Sequence, residues 1–177
     1  RPREDAQQLR AVVHRARKRP DRVERPAEQP GAVQADAAVG DLEADQVNGS
    51  VPFVIPNVLN VSISSAGWAD VATIAPWNMY LAYGDKRILE NQYNSMKNYV
   101  ERIRRSAKDD LWNSGFHFGD WLFYRPDDDN DGRAAVTDKY LIAQCFYGHS
   151  TQLLINTANV LGKQEDVKEY SGLLQKI

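Results

Sequence analysis

The sequence predicts an all-α fold made of helical hairpins, and three observations support this class. Apolar residues recur every three or four positions from Ile88 to Ile103, opposite a polar face, as in an amphipathic helix. Gly84 and Gly162 each join an apolar helical stretch to a more polar one, which indicates two helical hairpins. No alternating strand pattern of any length competes. The pattern fits inner helices that line a centre and outer helices that surround them.

The stretch before the first hairpin is predicted to be irregular. Asn48-Gly49 is a turn signal. Pro52 and Pro56 interrupt the apolar run over residues 51–59, so this run is expected to be extended or irregular rather than helical.

The first predicted hairpin runs from about Trp68 to about Arg105. Pro76 should kink or restart its first helix, because proline removes a backbone donor and its ring clashes with the preceding turn. Gly84 suits the left-handed conformation that ends a helix, and Asp85 suits the N-cap of the second helix.

The second predicted hairpin follows a long connection over residues 106–136, which is rich in Gly, Asp and aromatic residues. Thr137 or Asp138 caps its first helix, which runs to Leu161, and an amphipathic helix follows. Cys145 is the only cysteine and is expected to be a buried, inert thiol. The predicted buried face of the long helix consists of Ile142, Cys145, Phe146, His149, Leu153 and Ala158, widened by Leu141, Tyr147 and Leu154.

The composition of residues 1–40 differs from that of residues 41–177. The head is rich in Arg, Pro and Ala, and every Phe, Tyr and Trp lies after position 52. Such a segment buries too little apolar surface to offset its ordering entropy, so we expect disorder or a loosely attached helix. A shifted reading frame is a second hypothesis for the abrupt change, and translation of the encoding DNA in all frames tests it.

Charge and hydropathy exclude several classes of function. The formal net charge of −2 gives no electrostatic case for nucleic acid as a partner. There is no apolar run of 18 or more residues, so no membrane span is predicted. The charged N-terminus lacks the apolar core of a signal peptide.

The most informative chemical pattern is the pairing of tryptophans with acids. Trp68 and Asp70 share a Gly-Trp-Ala-Asp motif, Trp77 follows within the same predicted helix, and Asp120 directly precedes Trp121. A pyranose has apolar C–H faces that stack on aromatic rings and hydroxyls that bond to carboxylates, so this pattern favours a sugar site. The alternative is that the tryptophans are ordinary large core residues.

An acidic segment resembles a calcium loop. Asp127, Asp129, Asp131, Gly132 and Asp138 fall at positions 1, 3, 5, 6 and 12 of an EF-hand-like spacing. Position 12 is Asp rather than the usual bidentate Glu, and no helix precedes the loop. An exposed acidic loop with a turn is the alternative. We therefore predict no resident cofactor, with calcium as the other hypothesis.

Several motifs, in their order and spacing, are similar to the catalytic domain of bacterial α-L-rhamnosidases, glycoside hydrolase family 78, over about residues 41–177. They are Asn48-Gly-Ser-Val-Pro-Phe-Val-Ile-Pro56, Gly67-Trp-Ala-Asp70, Pro76-Trp77, Tyr83-Gly-Asp85, Phe118-Gly-Asp-Trp121 and Thr137-Asp-Lys139. The resemblance implies part of an (α/α)6 toroid of six helical hairpins. It also implies inverting removal of terminal α-L-rhamnose, with a rhamnose-containing carbohydrate as partner and a periplasmic or extracellular parent enzyme.

Two departures from the family pattern imply an incomplete domain. An Arg-Glu-Arg-Leu-Gly-Trp-Thr-Gly-Asp type of motif carries the family's general acid and is expected within residues 1–40, where nothing matches it. The general base is expected beyond Ile177. The resemblance therefore implies an internal fragment that is inactive alone. Inner-helix faces left exposed in such a fragment predict self-association.

The resemblance also suggests roles for individual residues. Asp70 resembles a substrate-contacting acid, although a helix N-cap is the alternative for it. Trp77 and Trp121, with Trp68 beside them, resemble the apolar walls of the pocket. Asp120 is either a further ligand of the sugar hydroxyls or a structural acid.

His117 bonds either to the sugar or to its own loop. Two other classes of function stay open from the sequence. One is a non-catalytic helical-hairpin scaffold that binds protein, and the other is a fragment of a different six-hairpin glycosidase, such as a trehalase or glucoamylase relative.

Overall fold

The computed structural model describes residues 40, 46–121 and 137–177. Four helices lie in the two long ranges: α1 (Val71–Tyr83), α2 (Lys86–Ser106), α3 (Lys139–Val160) and α4 (Gln164–Leu174). No β-strand occurs in these ranges, where the only β pairing consists of two isolated bridges. The predicted all-α class is therefore confirmed for this part of the chain. The predictions for residues 1–39 lie outside it.

The helices form two hairpins, α1–α2 and α3–α4, and α3 also packs on α1 and α2. Gly84 adopts the predicted left-handed conformation, with φ of 71°. Asp85 caps α2 by accepting from Arg87 N, and Asp138 caps α3 by accepting from two first-turn amides. None of the helices in the described ranges combines the length and apolar character that crossing a membrane requires.

Helix α1 begins later than predicted and is not interrupted. Trp68 lies in a turn before it, where the amides of Trp68 and Ala69 both donate to Ser65 O. Pro76 is buried inside α1, and the helix continues across it, so the predicted restart is wrong.

The buried face of α2 matches the prediction. All seven apolar residues of its predicted stripe are buried, namely Ile88, Leu89, Tyr93, Met96, Tyr99, Val100 and Ile103. The opposite face carries polar residues, and α2 reaches α4 through Lys97 and through the hydroxyl of the buried Tyr93. Tyr93 Oη donates to Asp166 at 2.6 Å, and the Lys97 ammonium lies 2.8 Å from the other oxygen of the same carboxylate. These contacts join the outer helices of the two hairpins.

The buried face of α3 differs from the prediction. Cys145 is exposed, which contradicts the expected buried thiol, and Leu141 and His149 are exposed as well. The residues that are buried are Ala143, Tyr147, Ser150, Thr151, Leu153, Leu154, Ile155, Thr157 and Ala158. Small hydroxyl side chains enter the core because most of them have hydrogen-bond partners there. Thr151 Oγ1, for example, donates to Tyr147 O at 2.8 Å.

Candidate functional site

Five aromatic rings from three separate segments form one cluster. We call Phe53, Trp68, Phe116, Phe118 and Trp121 the aromatic cluster. The Phe118 and Trp121 rings are stacked with their centroids 5.0 Å apart, and Trp68 lies 4.6 Å from Phe118 and 5.7 Å from Trp121. Phe53 extends the cluster, 5.0 Å from Phe118 and 6.1 Å from Phe116. Trp68 and Trp121 thus lie in one cluster, and their role in binding a sugar stays a prediction.

The cluster is open at two of its rings. Trp121 is 47% exposed and Phe116 is 50% exposed, whereas the other three rings are half-buried. A contiguous exposed aromatic surface of this kind marks a binding surface more often than a core. Trp77 does not belong to it, because the ring contact of Trp77 in the described ranges is with Tyr80 on α1.

The turn formed by residues 65–70 aligns two of the segments that carry the rings. Ser65 Oγ accepts a hydrogen bond from Phe118 N at 3.1 Å. One residue later, Ala66 N donates to His117 Nδ1 at 3.1 Å. Because Trp68 itself lies in this turn, the turn positions one ring of the cluster directly. Its hydrogen bonds to His117 and Phe118 also position the backbone that carries the Phe116 and Phe118 rings.

His117 braces the loop. Nδ1 accepts from Ala66 N, so Nε2 carries the proton and donates to Ser114 O at 3.1 Å. Burial lowers the pKa of His117, which favours this neutral form. Its ring also packs edge-on against Trp112 at 4.6 Å. Both ring nitrogens therefore bond to backbone, which fits the loop role rather than a sugar contact.

Asp70 lies in the interior. Its exposed fraction is 0%, Oδ2 accepts from Gly67 N at 2.8 Å, and Oδ1 accepts from Ser150 Oγ on α3. It occupies the N-cap position of α1, but its side chain makes no capping hydrogen bond. The Asp70 carboxylate is therefore not exposed to solvent beside the aromatic cluster. Nor does it cap α1 with a side-chain hydrogen bond.

Burial raises the pKa of the Asp70 carboxyl above its ordinary 3.8, although the hydrogen bonds from Ser150 and Gly67 oppose the shift. The Tyr99 hydroxyl lies buried beside it without a hydrogen bond of ordinary length in the described ranges, and burial raises the pKa of Tyr99 well above its usual value.

The raised pKa predicts how unfolding depends on pH. The protonated carboxyl favours the folded state, so its contribution is complete below pH 3.8 and is lost as pH rises through the folded-state pKa. Each unit of elevation corresponds to about 1.4 kcal/mol. Urea unfolding of the wild type and Asp70→Asn across this pH range should therefore show the wild type losing stability relative to the variant as pH rises.

The matched control for this pH series is Asp85→Asn. The hydrogen bond from Arg87 lowers the pKa of Asp85, so its contribution is present above pH 3.8 and is lost as pH falls through the folded-state pKa. The two variants should therefore diverge from the wild type in opposite directions. If the difference in free energy of unfolding between the wild type and Asp70→Asn does not change with pH, the raised pKa of Asp70 is contradicted.

The other predicted acids make backbone hydrogen bonds in the described ranges. Asp120 is half-buried, and its Oδ2 accepts from Thr137 N at 3.0 Å, which ties the end of the aromatic loop to the start of α3. Asp138 caps α3, whereas Asp127, Asp129 and Asp131 of the segment that resembles a calcium loop lie outside the described residues. Within the described ranges, no three or more His, Cys, Asp or Glu side chains are grouped closely enough to hold a metal ion.

Sequence reasoning did not single out several residues that build this site. Phe53 and Phe118 belonged to the family-like motifs, but no role was predicted for either ring. The sequence around Ser150 does not indicate its role, because its hydrogen-bond partner Asp70 is 80 positions away. Trp112 likewise gave no signal, although it is the one tryptophan of the four that is fully enclosed by the core.

Comparison with known proteins agrees with this architecture. Residues 35–177 match the bacterial alpha-L-rhamnosidase six-hairpin glycosidase domain. An alpha-L-rhamnosidase of Formosa agariphila is 38% identical over 135 residues, which are 76% of this chain and 14% of that protein.

Two solved structures share the fold. The native alpha-L-rhamnosidase of Aspergillus terreus superposes with a TM-score of 0.73 at 34% identity, over 82% of this chain and 17% of that one. The Streptomyces avermitilis alpha-L-rhamnosidase, complexed with L-rhamnose, gives a TM-score of 0.67 at 29% identity, over 78% of this chain and 12% of that one.

The chain spans 14% and 15% of the length of the two curated relatives that resemble it at 38% identity. The two hairpins are accordingly part of an α/α toroid, and the predicted incomplete toroid is confirmed. With its match over residues 35–177, the chain belongs to the bacterial alpha-L-rhamnosidase six-hairpin glycosidase domain family.

Proposed function

We propose that this chain is a segment of the catalytic domain of an alpha-L-rhamnosidase, and that its aromatic cluster forms one wall of the site for terminal α-L-rhamnose. The observation that carries the proposal is the joining of Trp68, Phe118 and Trp121, from two segments about fifty residues apart, into one partly exposed stack. The choice of sugar is supported by the Streptomyces avermitilis alpha-L-rhamnosidase, whose crystal structure is a complex with L-rhamnose.

The chemistry of the stack suits a deoxy sugar. Rhamnose presents a methyl group and apolar C–H faces, and these gain most from large flat rings that are already half-shielded from water. The exposed Trp121 ring rests on Phe118, so its orientation is fixed before a ligand arrives. A preorganised ring loses little entropy on binding, which makes stacking on it more favourable.

Inverting hydrolysis needs a pair of carboxyl groups in addition to the aromatic wall. Two carboxyl groups about 6.5–9.5 Å apart must flank the glycosidic bond, one to protonate the leaving oxygen and one to activate water. Asp70 is buried with both oxygens bonded, and Asp120 accepts from Thr137 N, so neither is placed for these roles. We propose that parts of the parent enzyme other than these 177 residues supply both proton-transferring carboxyls, and that the parent acts in the periplasm or outside the cell.

This division of roles predicts that the 177-residue chain alone does not hydrolyse an aryl α-L-rhamnoside. The measurement is release of the aryl alcohol, compared with the rate in buffer. Hydrolysis well above the buffer rate would show that the chain holds a complete catalytic pair.

Binding tests the site itself. Replacing Trp121 with alanine removes the most exposed indole of the stack and should weaken L-rhamnose at least tenfold, about 1.4 kcal/mol. Titration calorimetry on the full chain measures this. Trp77→Ala is the matched control, because it removes an indole that pairs with Tyr80 instead, and it should leave the affinity unchanged. Equal losses in both variants, or no binding by the wild type, would overturn the proposal.

A further inference from the structure

The Asp70 carboxylate joins the 65–70 turn to α3 at one buried point, and Ser150 extends this link to α1. Oδ2 accepts from Gly67 N in the turn, and Oδ1 accepts from Ser150 on α3. Ser150 in turn shares a hydrogen bond of 2.8 Å with Thr73 on α1. The Tyr99 hydroxyl of α2 is buried near the same carboxylate and has no hydrogen-bond partner of ordinary length among the described residues.

The 65–70 turn is also the part of the chain that sets the aromatic cluster. It contains Trp68, and its Ser65 and Ala66 hold the backbone of Phe118 and the ring of His117. Displacing the turn would therefore move Trp68 and release the loop that carries Phe118. A path made of these hydrogen bonds and the backbone of the turn therefore links the buried carboxylate to the backbone of Phe118, whose ring stacks on the exposed Trp121.

We propose that Asp70 is a positioning residue for the aromatic cluster: from the interior, its carboxylate fixes the 65–70 turn against α3 and so holds Trp68 and Phe118 in register with Trp121. The description of these rings as a sugar-binding wall rests on the function proposed above. Asp70 itself does not touch the sugar, since it is fully buried.

An asparagine amide at position 70 can keep the hydrogen bonds to Gly67 and Ser150, whereas alanine cannot. In Asp70→Asn the amide oxygen can accept from Gly67 N while the amide nitrogen donates to Ser150 Oγ. Ser150 would then donate to Thr73 Oγ1, which already donates to the backbone oxygen of residue 70. Asp70→Ala removes both acceptors and leaves the Gly67 amide without its partner.

The experiment compares the wild type, Asp70→Asn and Asp70→Ala of the full chain at a temperature where far-ultraviolet circular dichroism shows each to be folded. The first readout is the coupled circular-dichroism band of the Trp68 and Trp121 indoles, which lie 5.7 Å apart, and Trp121→Phe identifies this band. The second readout is L-rhamnose affinity. We expect Asp70→Ala to lose the band and to bind at least tenfold more weakly, and Asp70→Asn to keep both.

Leu173→Ala is the control for a general loss of stability, because it truncates a buried side chain on α4. It should keep the indole band and the affinity. An unchanged band in Asp70→Ala, or an equal loss in Leu173→Ala, would overturn the proposal.

Should Asp70→Ala fail to fold, Ser150→Ala carries the test, since it removes only the anchor on α3. A reduced indole band supports the proposal, and an unchanged one contradicts it. The two proposals can also fail separately. A wild type that shows the indole band but does not bind L-rhamnose refutes the sugar site, while the band still decides the role of Asp70.

Discussion

Replacing Trp112 with alanine is expected to lower the free energy of unfolding by about 4 kcal/mol, the usual range for removing a buried tryptophan. The residue is only 3% exposed and belongs to the central apolar core. A close-packed core relaxes only partially around a deleted side chain, so the cost should include a cavity as well as lost burial.

Trp112 also anchors the loop that carries the site. Its backbone N donates to Gln144 Oε1 at 2.8 Å, and Gln144 Nε2 donates in turn to Asp110 O at 3.1 Å. Its ring packs edge-on against His117, which braces the same loop. Losing the indole should therefore loosen the loop as well as the core.

Urea unfolding followed by far-ultraviolet circular dichroism measures the effect. Trp77→Ala is the matched control, because it removes the same indole from a half-buried position on α1 and should cost less than half as much. A cost for Trp112→Ala no greater than that of the control would contradict its place at the centre of the core.

The four tryptophans show what sequence reasoning can and cannot decide. Trp68, Trp77 and Trp121 stood out because acids or a proline flank them, and two of the three do meet in one cluster. Trp112 also has an acid two residues away, Asp110, yet its ring is buried in the core, and Gln144, which accepts the hydrogen bond from its backbone amide, is 32 positions away. The residues next to a tryptophan in the sequence do not show whether its ring stacks in a cluster or is buried in the core. They also do not show which helix the ring packs against.

The helices follow the same physical rule. The stripe on α2 is predicted correctly because one face of this helix meets solvent, so hydropathy has a true period there. α3 packs on α1, α2 and α4, and its contact with α1 includes the hydroxyls of Ser150 and Thr73. Hydropathy assigns such residues to the surface, because it takes no account of the long-range partners that satisfy them in the core.

The position of Asp70 shows the same limit at the site. When only the sequence is known, an acid two residues from a tryptophan suggests a side chain that binds sugar hydroxyls, because the hydrogen-bond partners of the acid are not yet visible. The structure supplies those partners, Gly67 N and Ser150 Oγ, and places the carboxyl in the interior. A direct contact between Asp70 and a sugar stays a prediction from the sequence, and the positioning role of this carboxyl is our proposal in its place.

The second large effect is expected at the Asn48-Gly49 turn, which packs on the C-terminal half of α2. Gly49 has a φ of 81° and Asn48 a φ of 52°, a pair of left-handed residues as in a tight type I′ turn. A Cβ at position 49 would overlap the backbone oxygen of Asn98 and lie 2.9 Å from the Cβ of Arg102. Both obstacles belong to α2, so neither can rotate away.

Gly49→Ala should therefore lower the free energy of unfolding by about 3 kcal/mol, from left-handed strain plus displacement of the turn from α2. Gly84→Ala is the control that isolates the clash: its φ of 71° carries the same strain, but no atom lies within 4 Å of the added Cβ, so we expect about 1 kcal/mol. Urea unfolding of both variants gives the difference. Equal costs would mean that the turn does not press on α2, whereas a surplus of about 2 kcal/mol at Gly49 is the expected signature of that contact.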